Sequence, residues 1–291
     1  WTGAHMTGDI QVDLHVSGDR DVRDNLKGFP WWLIAIFGFL GVMLYFIITD
    51  VDYNRAFNFI KGSFGGIEGA QEGGWAGFIG TGIAVTVYTT LTAFAIALVI
   101  GLLAGLGRVN SNAVIRNIAI TYIEFIRGVP TLVLIFTVAF VIVPEVSGRI
   151  GFSNQAISSN TRGIIALAVI YGAFLAEIFR AGIESVPPGQ TEAARSLGLN
   201  GRQAMRFVVL PQAIRNVMPA IGNDFIAMLK DSSLISVLAV RDITQMARLH
   251  SGSTFRFRES YLVLTFLYLS MTIALSLILR WYEGRLRQDG R

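Results

Sequence analysis

Long segments without a single charged residue constrain this chain more than any other feature of its sequence. Four such segments cover residues 31–49, 73–107, 128–144 and 260–279. A helix needs about 20 apolar residues to cross a bilayer core of about 30 Å. The four segments are long enough for this, so the sequence predicts an integral membrane protein built from helices.

Two further apolar segments, 164–183 and 211–229, are interrupted by ionisable residues. The interruptions are Glu177 and Arg180 in the first segment and Arg215 and Asp224 in the second, which runs into Lys230 and Asp231. A lone charge inside a span costs about 2.5–3.5 kcal/mol on the insertion scale, so such residues are candidates for function. With these two segments, the predicted fold is an all-α bundle of six membrane-spanning helices.

Composition excludes several other classes of protein. Charged residues make up 15% of the chain, against about 25% in a soluble domain. The chain has no cysteine, and its three histidines, His5, His15 and His250, are too far apart in sequence to suggest a metal-binding pair. It also lacks glycine-rich nucleotide-binding motifs and long basic runs. We therefore expect no catalytic site, metal, cofactor or nucleic acid on this chain, and any ATP to be bound by another chain.

The distribution of positive charge predicts the orientation in the membrane. With the N-terminus in the cytoplasm, 14 of the 24 Lys and Arg residues fall inside and nine fall outside. Cytoplasmic loops carry an excess of Lys and Arg, so both termini are predicted to be cytoplasmic. Five of the nine outer Lys and Arg residues lie in segment 230–258. Either this segment is a structured outer region, or the fifth span is wrong.

The loop after the fourth span, residues 187–206, carries dense signals for helix ends. Paired prolines, Pro187 and Pro188, end the incoming helix. The capping signals are Thr191 and Glu192 for a first short helix, Gly198 for the left-handed turn after it, and Asn200 with Gln203 for a second helix. The sequence therefore predicts two short helices outside the membrane, either as a knob that fits a groove on a soluble partner or as an ordinary capped hairpin.

The same loop resembles the EAA motif of ABC importer permeases. The residues that carry the resemblance are Glu192-Ala193-Ala194, Gly198 and Val208-Val209-Leu210-Pro211, with Val208 where Ile is commoner. Segments 125–132, 176–183, 210–215 and 222–234 are similar to the polar amino acid permease family in particular. The resemblance covers residues 78–283 in order.

The resemblance implies a core of five transmembrane helices over 78–283, to which this chain adds an N-terminal helix over 29–49. Residues 50–77 are expected to form an outer loop of no obvious fold, a spacer rather than a docking surface for a binding protein. The remaining tails, 1–28 and 284–291, are expected in the cytoplasm. Residues 1–5 resemble an expression scar ahead of Met6.

As the resemblance implies, the chain is the transmembrane subunit of an ATP-driven importer of polar amino acids in the bacterial inner membrane. Its expected partners are ABC ATPase subunits carrying ATP and Mg, a second permease that is identical or related, an extracytoplasmic amino-acid-binding protein and the lipid bilayer. The expected ATPase-coupling residues are Gln190, Glu192, Ala193, Ala194 and Gly198. The alternative is an ion-coupled secondary transporter or channel, although no repeat between the two halves is visible.

Charged and hydroxyl residues around the fifth span suit a substrate that carries both an ammonium and a carboxylate group. The predicted substrate path comprises Asn223, Asp224, Lys230, Asp231, Ser232 and Ser233. The alternative for this set is a structural pair between Lys230 and Asp231.

Three other features have both a structural and a functional interpretation. Gly101 and Gly105 form a GxxxG motif that favours close helix packing, within the chain rather than in a dimer. Segment 127–130 is expected to break a helix, as a simple kink or a hinge. Glu177 and Arg180 are expected to form an internal ion pair, with a substrate contact as the alternative.

Overall fold

The computed structural model describes residues 31–62, 80–151 and 157–288. The chain divides into two units, Trp1–Leu44 and Tyr45–Arg291. Helix α1 (Trp31–Thr49) crosses the boundary between the units, and its residues up to Leu44 are the only part of the first unit that the structure describes. All other described elements belong to the second unit, which is helical, with one isolated bridge between Gly82 and Asp242 and no strand in the described ranges. The predicted all-α fold is confirmed.

The second unit holds ten further helices within the described residues. They are α2 (Val51–Lys61), α3 (Ile83–Arg108), α4 (Ala113–Gly128), α5 (Thr131–Arg149), α6 (Ser159–Glu184), α7 (Pro188–Ser196), α8 (Gly201–Ala204), α9 (Leu210–Asp231), α10 (Ile243–Thr254) and α11 (Phe257–Gln288). A π-helical turn at Val138–Ile142 interrupts α5, another at Met205–Val209 joins α8 to α9, and a 3-10 helix at Ser232–Leu238 follows α9.

Four described helices, α3, α5, α6 and α11, are long and apolar enough to cross a membrane, and α1 with α2 forms a fifth, bent candidate. Helix α9 was predicted as a span but is not in this set, because its polar residues lower its hydropathy. Its 22 residues extend about 33 Å, enough to cross a bilayer core. The six-span count therefore remains a prediction.

The core of the second unit is the close packing of α3 against α6. A Cβ atom added at Gly101 would lie 2.6 Å from the Leu175 Cβ, and one added at Gly105 would lie 2.9 Å from the Ala176 carbonyl oxygen. Only glycine allows the two backbones to approach this closely. The GxxxG motif thus packs helices within the chain, as the sequence predicted.

Helix boundaries differ from the predicted spans at several points. The first core span begins at Ile83 rather than at residue 73, and residues 73–79 lie outside the described ranges. The expected break at 127–130 is confirmed, since α4 ends at Gly128 and α5 begins after Pro130. Helix α4 itself was not predicted, because its charged residues placed it outside the uncharged segments.

Part of the predicted outer loop 50–77 is helical. The Asp50 side chain caps α2 by accepting hydrogen bonds from the backbone N–H groups of Asp52 at 2.8 Å and Tyr53 at 3.3 Å. The ring of Phe57 lies 6.5 Å from that of Phe266 on α11, and Asp52 forms an ion pair with Arg256. Residues 51–61 are therefore a packed element rather than a loop, while 63–77 lie outside the described residues.

Candidate coupling loop and substrate path

The candidate coupling loop begins with α7, whose N-cap is Pro187 and whose first residue is Pro188. Proline suits this position because its missing N–H would be unpaired there in any case. Thr191 and Glu192 consequently lie inside the helix, so the predicted capping role of Thr191 and first-turn position of Glu192 are wrong. Of the predicted coupling residues, Gln190, Glu192 and Ala193 are exposed, while Ala194 is 3% exposed.

The turn after α7 has the predicted left-handed geometry. Gly198 has φ +85°, and its N–H donates to the Arg195 carbonyl at 3.0 Å. The predicted capping arrangement also forms: Asn200 and Gln203 exchange two hydrogen bonds of 2.9 Å. The helix that they cap is only α8, four residues that continue through the π-helical turn into α9. The second predicted short helix is therefore the start of α9, the helix predicted as the fifth span.

An apolar base holds the loop to the bundle. It consists of Ile183, Val186, Val209 and Ala213, with Leu106, Val109 and Met205 packed against it. A hydrogen bond of 2.9 Å from the Asn216 side-chain amide to the Ser185 hydroxyl adds a polar tie. Most residues of α7 are exposed, and Leu197, which follows this helix, is 84% exposed. This arrangement leaves α7 accessible on the surface.

The predicted substrate-path residues do not form one cluster. Asn223 and Lys230 are exposed, whereas Asp224, Asp231 and Ser233 are half-buried. Ser232 is buried and donates to the Leu229 carbonyl at 2.7 Å, so its hydroxyl proton is occupied by the end of α9. Asp224 and Asp231 are seven residues apart on α9, which places them on the same face two turns apart. The face holds two carboxylates rather than a zwitterionic set.

The two carboxylates differ in their partners. Asp231 accepts a hydrogen bond of 2.8 Å from the Tyr171 hydroxyl on α6. No ion pair joins it to Lys230, although the structure describes both side chains, so the structural pairing considered for them is wrong. One carboxylate oxygen of Asp224, Oδ2, is buried with no hydrogen-bond partner among the described residues. Because a buried carboxylate oxygen without a donor is costly, this oxygen of Asp224 has the capacity to accept a further hydrogen bond.

The expected ion pair of Glu177 with Arg180 is present at 3.1 Å. The pair belongs to a larger network of charged side chains. Sequence reasoning missed the other members of that network, Arg108, Glu124 and Glu184. Arg108 is the first charged residue after the uncharged segment 73–107. That position indicated that Arg108 needs a partner of opposite charge. Which residue is the partner depends on the packing of α3 against α6.

Sequence reasoning also missed Asp242, which lies between the 3-10 helix and α10 and outside the predicted spans. Its side chain is 0% exposed and accepts the Gln245 backbone N–H at 2.9 Å as the N-cap of α10. The adjacent backbone is tied to α3, because the Gly82 N–H donates to the Arg241 carbonyl at 2.8 Å. Burial raises the pKa of Asp242 from 3.8 to about 7. This junction gives segment 230–258 an ordered structure, while its position on the outer side of the membrane stays a prediction.

Asp242 is expected to make stability depend on pH. Its folded-state pKa lies above its ordinary value, so between about pH 4 and 7 the folded protein binds a proton more tightly than the unfolded chain. The resulting stabilisation is present at low pH and is lost as the pH rises through 7. We expect Asp242→Asn, which keeps a capping oxygen, to raise Tm at pH 8 and to have little effect at pH 5.

The measurement is thermal unfolding in detergent at both pH values. Glu145→Gln is the matched control, since Glu145 is an exposed carboxylate on α5. A Tm difference between Asp242→Asn and the parent that is the same at pH 5 and pH 8 would contradict the assignment of the proton to Asp242.

Comparison with known proteins finds one matching family and several relatives with similar sequences. A family model described as binding-protein-dependent transport system inner membrane component matches residues 97–288. The probable glutamine ABC transporter permease protein GlnM of Bacillus subtilis (strain 168) is 39% identical over 207 residues, covering 69% of this chain and 92% of that protein. The glutamine transport system permease protein GlnP of Escherichia coli (strain K12) is 32% identical over 206 residues, covering 71% and 91%.

Solved structures agree with these relatives. The crystal structure of an amino acid ABC transporter with histidines is similar, with a TM-score of 0.62 and 40% identity, over 70% of this chain and 92% of that chain. An inward-facing methionine ABC transporter, MetNI, has a TM-score of 0.56 at 19% identity, over 70% and 92%, and shows the shared fold alone.

Proposed function

The chain belongs to the family of binding-protein-dependent transport system inner membrane components, and we propose that it carries polar amino acids inward as the transmembrane subunit of an ABC importer. It is a membrane-embedded transport subunit, with several helices apolar enough to span a bilayer. The substrate class is supported by the relatives, whose names refer to glutamine and amino acids.

The observation that carries the coupling role is the geometry of the loop 187–206. Helix α7 projects from an apolar base, and its exposed residues include Gln190, Glu192 and Ala193. An accessible helix that is anchored to the bundle in this way is proposed to transmit force from a soluble ATPase that binds ATP and Mg, and the chain itself is proposed to bind neither. The energy of ATPase closure then selects one of two packings of the bundle.

The remaining partners follow from the same proposal. A binding protein delivers substrate on the outer side, and a second permease, identical or related, completes the pathway across the membrane. The excess of Lys and Arg on one side supports cytoplasmic positions for the loop 187–206 and for both termini. The proposed location of the chain in the cell is the bacterial inner membrane.

Uptake into proteoliposomes tests the proposed function. The purified complex should take up amino acids only with ATP inside and with the binding protein outside. An ion-coupled secondary transporter would instead take up substrate from the isolated chain in response to an ion gradient, without an ATPase. Uptake of that second kind would overturn the proposal.

Asp224 is proposed to receive the ammonium group of the substrate, because its Oδ2 atom is buried without a partner. Hydrogen bonds to charged groups contribute about 1.5–3 kcal/mol, so Asp224→Asn should weaken substrate binding at least tenfold while Tm stays near that of the parent. Calorimetric titration of the purified complex with a panel of amino acids measures the affinity.

Ser233→Ala should produce a smaller loss of affinity or a change of preference, and Glu145→Gln, an exposed carboxylate on another helix, should change neither. Unchanged affinity and preference in both Asp224→Asn and Ser233→Ala would remove these residues from the substrate path.

A further inference from the structure

Five acidic and basic side chains form a network where three helices meet. Arg108, the last residue of α3, forms an ion pair with Glu177 on α6 and lies 3.6 Å from Glu124 on α4. On α6 itself, Arg180 lies 3.1 Å from Glu177 and also pairs with Glu184. Arg108 is thus the one cation of this network that joins different helices.

Burial distinguishes this network from a surface ion pair. The side chains of Arg108 and Glu177 are 22% and 18% exposed. The pair between Arg149 and Glu145 on α5, by contrast, is 77% and 64% exposed and lies within one helix. Pairs that are screened by water contribute little, whereas removing one partner of a partly desolvated pair leaves a charge without compensation. The Arg108–Glu177 contact is therefore the stronger constraint on helix position.

The position of the network relates it to the loop 187–206. Glu184 ends α6, and only Ser185, Val186 and Pro187 separate it from α7. Any displacement of α7 therefore acts first on the end of α6 that carries the network. Whether α3 and α4 move with α6 depends on the contacts between these helices.

Three kinds of contact join these helix ends. Leu106 and Val109 pack against the apolar base, which includes Ile183 and Val186. Gly105 packs closely against α6, where an added Cβ atom would lie 2.9 Å from a backbone oxygen. The hydrophobic contribution of these contacts is not directional. An arginine held by a carboxylate has a defined geometry and fixes the relative position of the two helices.

We propose that Arg108 is a positioning residue that makes α3 and α4 follow α6 when the coupling loop moves. The proposal rests on the proposed function, since it requires an ATPase that displaces α7. Arg108 transmits the motion through Glu177 and contacts neither ATP nor substrate.

Arg108→Gln tests the proposal selectively, because Glu177 keeps Arg180 as its partner. Arg180→Gln is the matched control: it removes pairs within α6 and leaves the link from Arg108 to Glu177 intact. In the complete importer in proteoliposomes, Arg108→Gln should lower the amount of substrate transported per ATP hydrolysed about tenfold, within the usual range of coupling energies. Basal ATP hydrolysis should remain within about twofold of the parent.

Arg108→Lys keeps the cation but loses the planar fork, so it should recover part of the lost coupling. A Tm of Arg108→Gln equal to that of the parent shows that its fall in coupling does not arise from misfolding. An equal fall in Arg180→Gln, or a lowered Tm with unchanged transport per ATP in Arg108→Gln, would overturn the proposal. A parent complex without binding-protein-dependent uptake would instead overturn the proposed function, and this inference with it.

Discussion

Gly198→Val is expected to remove most of the stimulation of ATP hydrolysis by the loaded binding protein. Gly198 has φ +85° at the turn between α7 and α8, and a Cβ there would meet no atom within 4 Å. The cost is therefore confined to the backbone: a left-handed conformation costs a residue with a Cβ about 1–2 kcal/mol, and a β-branched one more. That penalty lowers the equilibrium constant between the competent loop and its other conformations about tenfold.

Two controls separate this effect from general damage to the loop. Gly198→Asn should retain most of the activity, because asparagine tolerates the left-handed region. Gly201→Ala adds a Cβ at the start of α8, where no atom lies within 4 Å and φ is not positive. ATPase assays of the reconstituted importer give the readout. If valine at position 198 left stimulation and transport unchanged, the role of the turn in coupling would be wrong.

Glu192→Ala should have a weaker effect than Gly198→Val. Glu192 lies inside α7 rather than at its first turn, so the loss of a helix-dipole interaction does not contribute. Any decrease in stimulated ATP hydrolysis then reports contact with the ATPase partner.

Gly101→Leu is expected to prevent stable folding of the bundle. The first added atom would lie 2.6 Å from the Leu175 Cβ and 3.1 Å from the Gly172 carbonyl oxygen, so α3 and α6 would have to separate. Overpacking costs about 1–3 kcal/mol for added methylene groups, and more where the backbone itself must move. We expect a large fall in Tm and aggregation on size-exclusion chromatography in detergent.

Gly101→Ala should show an intermediate loss, since it carries the clashing Cβ without the rest of the leucine side chain. Gly148→Leu on α5 is the matched control, because no atom lies within 4 Å of its Cβ position. A Gly101→Leu protein with the Tm of the parent would show that the close packing of α3 against α6 is not required.

Local chemistry explains which features could be predicted from the sequence. The left-handed turn at Gly198, the caps at Asn200 and Gln203 and the break before Pro130 each depend on a few neighbouring residues. The sequence reasoning missed α2, although its buried residues, Tyr53, Ala56 and Ile60, have the spacing of one face of a helix. The reasoning searched for long uncharged segments, and the packing that stabilises this short helix involves residues distant in sequence.

The candidate substrate path shows the same limit. Adjacency in sequence grouped Lys230 with Asp231, but side chains next to each other on a helix point about 100° apart. The partner of Asp231 is Tyr171, sixty residues away on α6. Likewise, Asp242 was passed over in an apparently ordinary polar segment, and only folding buries its carboxylate.

The sequence by itself determined that the chain is a helical membrane protein with a capped loop over residues 187–206, because a bilayer requires long uncharged segments and because glycine and proline act on the backbone locally. The ABC importer family was indicated by the resemblance of its motifs and not by these physical patterns. The tertiary structure alone decided which charges meet: Arg108 with Glu177, Tyr171 with Asp231, and Asp224 with no partner among the described residues. Burial and distance between helices set these interactions, and both arise only when distant segments pack together.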